Sequence, residues 1–280
     1  MQNPLIVSTA AYDGYSFDQV FTSLKGLGVT CVELAFIGGY TEAFTEEYFC
    51  AKNADIILAL LAGSGLVCTS FSSHVDLTAD GIVEIFKKRM DFAKMVGAST
   101  IVTNAAPIEK ADIFYWNMKE LARHAESLEL MIGLENPGDG VANVVNQGAG
   151  SSEVIDKIGS KWVGINYDFG NLVSHCFEKV SPEQDYLACR KDIVHYHIKD
   201  VVADDKGWVF NPIGAGAIDY ASVLADIAKN EPTTPISLEI PLRLRRDKKA
   251  QPSRSESVIP MPEIEAILQE SIDFVRKAMA

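Results

Sequence analysis

Three carboxylates and one imidazole stand at the ends of short apolar runs. Glu135 closes MIGLE, Asp168 closes GINYD, His197 closes IVHYH and Glu239 closes ISLE. Carboxylate oxygens and an imidazole nitrogen suit a divalent cation of mixed N/O preference, and the donor list alone does not choose among Mn, Mg, Co and Zn. Three carboxylates brought to one place would repel and desolvate one another unless a cation neutralised them. If the four run ends meet, one shared ion is therefore expected, with Mn carried forward as the first choice. Taken singly, each residue would pass for a cap, an ion pair or a surface charge. An ion so held could bind a hydroxyl and the neighbouring carbonyl of one substrate, and would stabilise the enediolate left when a C–H proton departs. A Glu beside the substrate would take that proton. Return to the opposite face gives an epimer, return at the next carbon an aldose–ketose isomer, and loss of a β-hydroxyl a dehydration product.

Other side chains could assist. In the stretch IVHYHIKD (193–200), strand alternation puts His195, His197 and Lys199 on one side and Tyr196 and Ile198 on the other. Lys199 could contact a carbonyl or an anionic group, or form a salt bridge. Glu33 and His74 end the second and third apolar runs and could bind substrate hydroxyls; the alternatives are a buried ion pair and a satisfied loop histidine. His195, two residues deeper than His197, reads as a core histidine, and His124, among charges in a helical segment, as solvent-facing. For Trp116 and Trp208, core or interface packing is expected ahead of a wall over the substrate.

For these residues to meet, the runs that carry them must be strands of one sheet. Apolar, β-branched runs recur at 5–8, 30–34, 66–71, 99–103, 128–134, 162–167, 193–198 and 235–240, starting roughly 25 to 42 residues apart with amphipathic segments between them. One such segment aligns Ile82, Phe86, Met90, Ala93 and Gly97; the last begins at Pro262 and aligns Ile264, Ile267, Leu268, Ser271 and Val275. Eight βα units favour a single (β/α)8 TIM barrel over residues 1–280, with an open doubly wound sheet as the alternative. In a barrel the carboxyl ends of all strands share one mouth. The segment 241–260 departs in composition, with Arg243, Arg245, Arg246, Lys248, Lys249 and Arg254. Its plainest reading is a mobile, solvated basic loop. The sharper one is a flap over the mouth that holds a phosphate or carboxylate, which would make the substrate anionic.

The 280 residues are 48% apolar and 22% charged, with formal net charge −13. That composition is globular, and the acidity argues against a nucleic-acid partner, whose phosphates require clustered Lys and Arg. The five cysteines include no Cys-x-x-Cys pair, as expected of reduced thiols in a cytoplasmic protein. The N-terminus lacks the basic start of a signal peptide, and no apolar run approaches the roughly 18 residues that would cross a membrane. The glycine pair at Gly148 and Gly150 lacks the third glycine of a dinucleotide fingerprint.

The motifs VEL (32–34), SSH (72–74), GLEN (133–136), GINYDFGN (164–171), HIKD (197–200), GAGAIDY (214–220) and SLEIP (237–241), in this order, resemble the xylose-isomerase-like barrels. That family includes sugar and sugar-phosphate isomerases, ketose 3-epimerases and inosose dehydratases. The resemblance implies a sugar or polyol substrate, a metal held by Glu135, Asp168, His197 and Glu239, and Glu135 and Glu239 doubling as the acid/base pair. It also implies a dimer or tetramer. An apurinic endonuclease, which shares the superfamily, would need more His at the mouth than five in the whole chain supply. The chain departs from relatives at Pro137, where many have His, and at Ala215, where many have Glu. Asn171 stands where ketose 3-epimerases carry a substrate-binding His, and Ala203 where they carry Arg. The resemblance thus points away from a ketose 3-epimerase and leaves Asn171 as the substrate-side residue at that position.

Overall fold

The computed structural model describes residues 3–280. Eight parallel strands close into a barrel: β1 (Leu5–Ser8), β2 (Cys31–Ala35), β3 (Val67–Ser72), β4 (Thr100–Asn104), β5 (Met131–Glu135), β6 (Val163–Asp168), β7 (Ile193–Ile198) and β10 (Ile236–Leu238). Each successive strand pairs in parallel with the one before it, and β10 closes the ring between β7 and β1. The expected (β/α)8 barrel is the observed architecture. The largest difference in strand position is at β5, which starts at Met131 because Leu128 still belongs to the preceding helix.

The helices form where apolar spacing and local signals coincide. Helix α1 (Phe17–Gly26) opens on a capping box in which Ser16 and Gln19 satisfy each other's backbone amides. Helix α2 (Ala51–Ser64) stops at Gly65, which adopts the left-handed conformation. Helix α3 (Ile82–Met95) buries Ile82, Phe86, Met90 and Ala93 on the expected face, while Gly97 lies past its end at φ 98°. The last helix, α9 (Met261–Ala278), buries Ile264, Leu268, Ser271 and Val275, with Ile267 partly covered. The apolar core fills the space between strands and helices. On β7, Tyr196 faces this layer and packs against Phe169 and Tyr186, with ring centroids 5.8 and 6.4 Å away.

The alternate residues point into the barrel, and here they are polar. Glu33, Ser70, Asn166, His195, His197 and Ser237 are all fully buried there. Pairing slips by one residue at Val32/Glu33 and again at Ile165/Asn166. The unpaired residues are Thr69 on β3 and Val194 on β7, each directly before a polar residue, Ser70 or His195, that is fully buried in the interior.

The segment 241–260 is not the solvated loop its composition suggested. It contributes β11 (Leu244–Asp247) and β12 (Pro252–Arg254), which join β8 (Asp200–Asp204) and β9 (Gly207–Asn211) in an antiparallel sheet ordered β12-β11-β9-β8. This sheet leaves the barrel at Lys199 and stands beside its mouth. Gly207 allows β9 to approach β11: a Cβ there would lie 2.1 Å from the Arg246 carbonyl oxygen. Arg243 and Arg246 are buried, and Arg245 and Arg254 pair with Asp204 and Asp13 respectively. Lys248 and Lys249 alone of the six cations are exposed. All five cysteines are free thiols. Among the described residues no helix is long and apolar enough to cross a membrane.

Candidate metal and substrate site

Glu135 and Asp168 are the last residues of β5 and β6, His197 is next to last in β7, and Glu239 follows β10 directly. The barrel brings these four ends together. Each offers one ligand atom, and those atoms all lie within 4.8 Å of one another. Nδ1 of His197 is 2.7 Å from Glu135 Oε2, 3.3 Å from Glu239 Oε2 and 3.9 Å from Asp168 Oδ2. His197 Nδ1 and Asp168 Oδ2 are buried without a directed hydrogen bond, although Lys199 Nζ comes within 2.7 Å of the latter. Buried polar atoms without partners are costly. Two of them, aimed at a point shared with two further carboxylates, fit a cation, and the group can hold one divalent metal ion.

The electrostatics match that reading. Burial, with Glu135 and Glu239 adding to it against the opposing Lys199, raises Asp168 to about 7. Burial would also raise Glu239, but Lys199 and His197 hold it well below the carboxylate range. Glu135 is likewise held low against burial, by His74 and His197. Burial disfavours a charged His197 ring, yet Glu33, Glu239 and Glu135 together raise it well above the usual imidazole value. Lys199 pairs with Asp168 and Glu239; burial opposes its charge, and those acids keep it firmly protonated.

Beneath the four lies a closed polar tier. Glu33 Oε2 accepts from Ser70 Oγ at 2.9 Å and lies 3.0 Å from His197 Nε2. A proton on Nε2 leaves the Nδ1 lone pair facing the carboxylates, so Glu33 sets the tautomer of His197. The expectation that Glu33 touches substrate is corrected here, because it is fully buried below the mouth. Glu33, His195 and His197 are also close enough to share an ion, and Glu33 Oε1 and His195 Nε2 lack partners, but this group offers one carboxylate and none of it lines the cavity above the four ligands. His195 Nδ1 meets Asn166 Oδ1 at 2.8 Å, and the amide of Asn166 donates to Glu135. His195 is thus the core histidine its depth suggested.

Above the four opens a cavity of about 330 Å³, with His74, Glu135, Asn171, Lys199, Glu239 and Arg246 among its walls. That volume is in the small-molecule range. His74 is held by Ser72 Oγ at 2.8 Å and Asn104 Oδ1 at 3.0 Å, and its Nε2 is 3.6 Å from Glu135. Asn171 donates to Glu135 Oε1 at 2.8 Å. His74, Asn171 and Lys199 therefore reach the cavity, and Glu33 does not.

Several residues escaped sequence reasoning. Asn136 clamps the Asp168 backbone from both sides, its amide donating to the carbonyl and its oxygen accepting from the N–H, each at 2.9 Å. Asn166 shares the face of Asp168 two residues on, so strand alternation could have found it. Asp200 accepts from the amides of Val201, Gly214, Gly216 and Ile218, and so folds the GAGAI loop around itself. Ala215 in that loop is exposed. Trp116 lies 69% exposed on helix α4 (Ala111–Leu128), neither core nor wall, whereas Trp208 is packed and donates to Glu178. His124 is half-buried rather than solvent-facing, because it meets Asp91 Oδ1 at 2.7 Å across the α3–α4 seam.

Residues 21–278 match the family model described as xylose isomerase-like TIM barrel. Among curated proteins no sequence matches the chain. Solved structures resemble it along their whole length. A D-psicose 3-epimerase determined in the presence of D-fructose is 13% identical with TM-score 0.75, over 100% of this chain and 99% of that one. A 3-keto-D-glucoside 4-epimerase from E. coli is 14% identical with TM-score 0.71, over 99% and 100%. The probable 3-DHS dehydratase from Bacillus anthracis is 14% identical with TM-score 0.68, over 99% of each. At such identities these likenesses are of fold. With most of its length matched by the family model, the chain belongs to the xylose isomerase-like TIM-barrel family.

Proposed function

We propose that the protein is a metal-dependent sugar or sugar-phosphate isomerase or epimerase that works by proton transfer next to a carbonyl. The observation that supports this most is the convergence of Glu135, Asp168, His197 and Glu239 beside a cavity that Glu135 and Glu239 line. These four would hold one divalent ion, with Mn carried as the first choice and Mg, Co or Zn able to replace it in such a mixed donor set. When bound, such an ion stabilises the negative charge that appears on a carbonyl oxygen as the neighbouring C–H proton leaves.

The remaining work falls to side chains. Glu135 and Glu239 both border the cavity and come from strands separated by β6 and β7 around the ring. They therefore approach a substrate from different sides, one removing a proton and the other returning it. Glu135 is aimed by two donors, the amides of Asn166 and Asn171. Glu239 is held ionised against Lys199. His74, fixed by Ser72 and Asn104, and Asn171 would bind substrate hydroxyls and set which carbon faces the two Glu.

The test is turnover of a keto-sugar panel in D2O with added Mn2+, read by NMR and mass spectrometry. The expected result is deuterium at a carbon next to the carbonyl in a product that is otherwise an isomer of the substrate, abolished by a chelator. A product lighter by water would move the protein to the dehydratases. Turnover without deuterium, or with full activity after chelation, would overturn the proposal.

A further inference from the structure

Four cations are buried among the described residues: Arg89, Lys199, Arg243 and Arg246. Three of them have acids. Arg89 pairs with Glu46, Lys199 with Asp168 and Glu239, and Arg243 with Asp13 at 3.0 Å. Arg246 has none, in a chain whose acids outnumber Lys and Arg by 38 to 25. Its partners are neutral: the Ala250 carbonyl at 3.1 Å, the Tyr40 hydroxyl at 3.1 Å and Asn171 Oδ1 at 3.4 Å. Its Nε is buried with no hydrogen-bond partner at all.

A buried guanidinium without a counter-ion is destabilising unless something supplies the charge. This one is only 4% exposed, and it borders the cavity above the metal ligands. It is seated against backbone at Gly138, where a Cβ would come 2.6 Å from its Nη2 and 2.8 Å from its Cζ. Asn171 spans the gap, its oxygen toward Arg246 and its amide on Glu135. The guanidinium is thus one side chain away from the carboxylates that would hold the ion.

We propose that Arg246 receives an anionic group of the substrate, a carboxylate or a phosphate, while the rest of that molecule reaches the metal ligands. This rests on the proposed function and narrows its substrate class. Fixed planar donors suit either anion, since both present paired oxygens to a guanidinium. The neighbouring cations on the same hairpin do not share the role. Arg243 is saturated by Asp13 and by the Ser255 and Glu256 carbonyls, and Arg245 faces Asp204 on the outer side.

Calorimetry on the Mn2+-loaded protein tests this with three six-carbon probes: D-fructose, D-fructuronate and D-fructose 6-phosphate. One of the two anionic probes is expected to bind roughly ten- to hundredfold tighter than fructose, the gain of a charge-assisted hydrogen bond over a neutral one; which of them does so tells carboxylate from phosphate. Arg246→Gln should erase that preference, with Mn2+ binding read alongside as the sign that the variant is folded. Arg246→Lys should restore part of it, and Arg245→Gln should keep all of it. Equal affinity for all three probes in the wild type would overturn the proposal whether or not the variants fold, and so would an Arg246→Gln protein that keeps the preference. Anion preference without deuterium exchange would leave this site standing and sink the proposed reaction; exchange confined to neutral sugars would do the reverse.

Discussion

Two tiers of polar side chains sit one above the other inside the barrel, built from the same residue types. The upper tier is Glu135, Asp168, His197 and Glu239; the lower is Glu33, Ser70, Asn166 and His195. Both are buried, so burial does not tell them apart. Access and direction do. The upper carboxylates Glu135 and Glu239 border a cavity, and His197 Nδ1 points toward both of them. The lower tier has no opening among the walls of that cavity and spends its hydrogen bonds upward, Glu33 on His197 and Asn166 on Glu135. A carboxylate in the upper tier is thus placed to act on a ligand, and one in the lower tier to aim another residue.

The sharpest way to break this comparison is to remove charge from the upper tier without changing shape. Glu239→Gln and Glu135→Gln should each lower deuterium exchange into substrate by at least roughly a hundredfold, the low end for positioned acid–base groups. Rates near wild type in either variant would remove it from the proton path.

Charge removed from the lower tier should act through the metal instead. Glu33→Gln keeps the packing but loses the carboxylate that fixes the His197 tautomer, and Mn2+ affinity should fall roughly 10- to 100-fold. With saturating Mn2+ most of the activity should return. A raised KM with unchanged metal affinity would instead put Glu33 in contact with substrate, against its position here.

The upper tier also predicts a pH dependence. His197 must be neutral to ligate, and its neighbouring carboxylates raise it well above the ordinary imidazole value. Metal therefore displaces a proton from His197 and, below about 7, one from Asp168 as well, so Mn2+ affinity should rise with pH by up to about tenfold per unit for each proton released. Titration calorimetry in buffers of different ionisation enthalpy reads the released proton directly; affinity flat between pH 6 and 8 would contradict the raised value. Saturating metal at 100 times Kd should in turn stabilise the fold by about 2.7 kcal/mol, or a Tm rise of roughly 5–10 °C for a domain of this size.

The upper tier was legible in the sequence and most of the lower one was not, for a physical reason. A strand that ends in an acid advertises itself, because the chain changes from apolar to polar where the sheet stops. That signal located Glu135, Asp168 and Glu239, and the eight runs behind them fixed the barrel. Glu33 gave the same signal and was misplaced, because β2 runs on to Ala35 and leaves Glu33 two residues short of the strand's end, inside the barrel. The basic segment misled in the opposite sense. Six cations in one stretch read as solvated, but the hairpin of β11 and β12 buries Arg243 and Arg246 by pairing with β9, a long-range contact that no local pattern announces. Asp200 was within a recognised motif, yet its role depends on amides 14 to 18 residues away.

The smallest effect should come from His195, which is not one of the four proposed ligands and does not line the cavity. Burial holds its ring down to about 4, so it is neutral at working pH and serves to hold the oxygen of Asn166. His195→Asn should change Mn2+ affinity and exchange by less than about tenfold, since a truncated neutral partner weakens one hydrogen bond of about 1 kcal/mol. Its clearer signature is in stability. A histidine whose folded pKa lies below its unfolded value of about 6.5 keeps its full contribution above that pH and loses it as pH falls toward 4. The wild type should therefore lose stability across this window more steeply than His195→Asn, by up to one proton's worth of slope, in denaturant titrations at several pH values. Parallel curves would mean that His195 gains its proton in the folded state as readily as in the unfolded one. A hundredfold loss of exchange would place it in the proton path, and the division between the two tiers would fail at that residue.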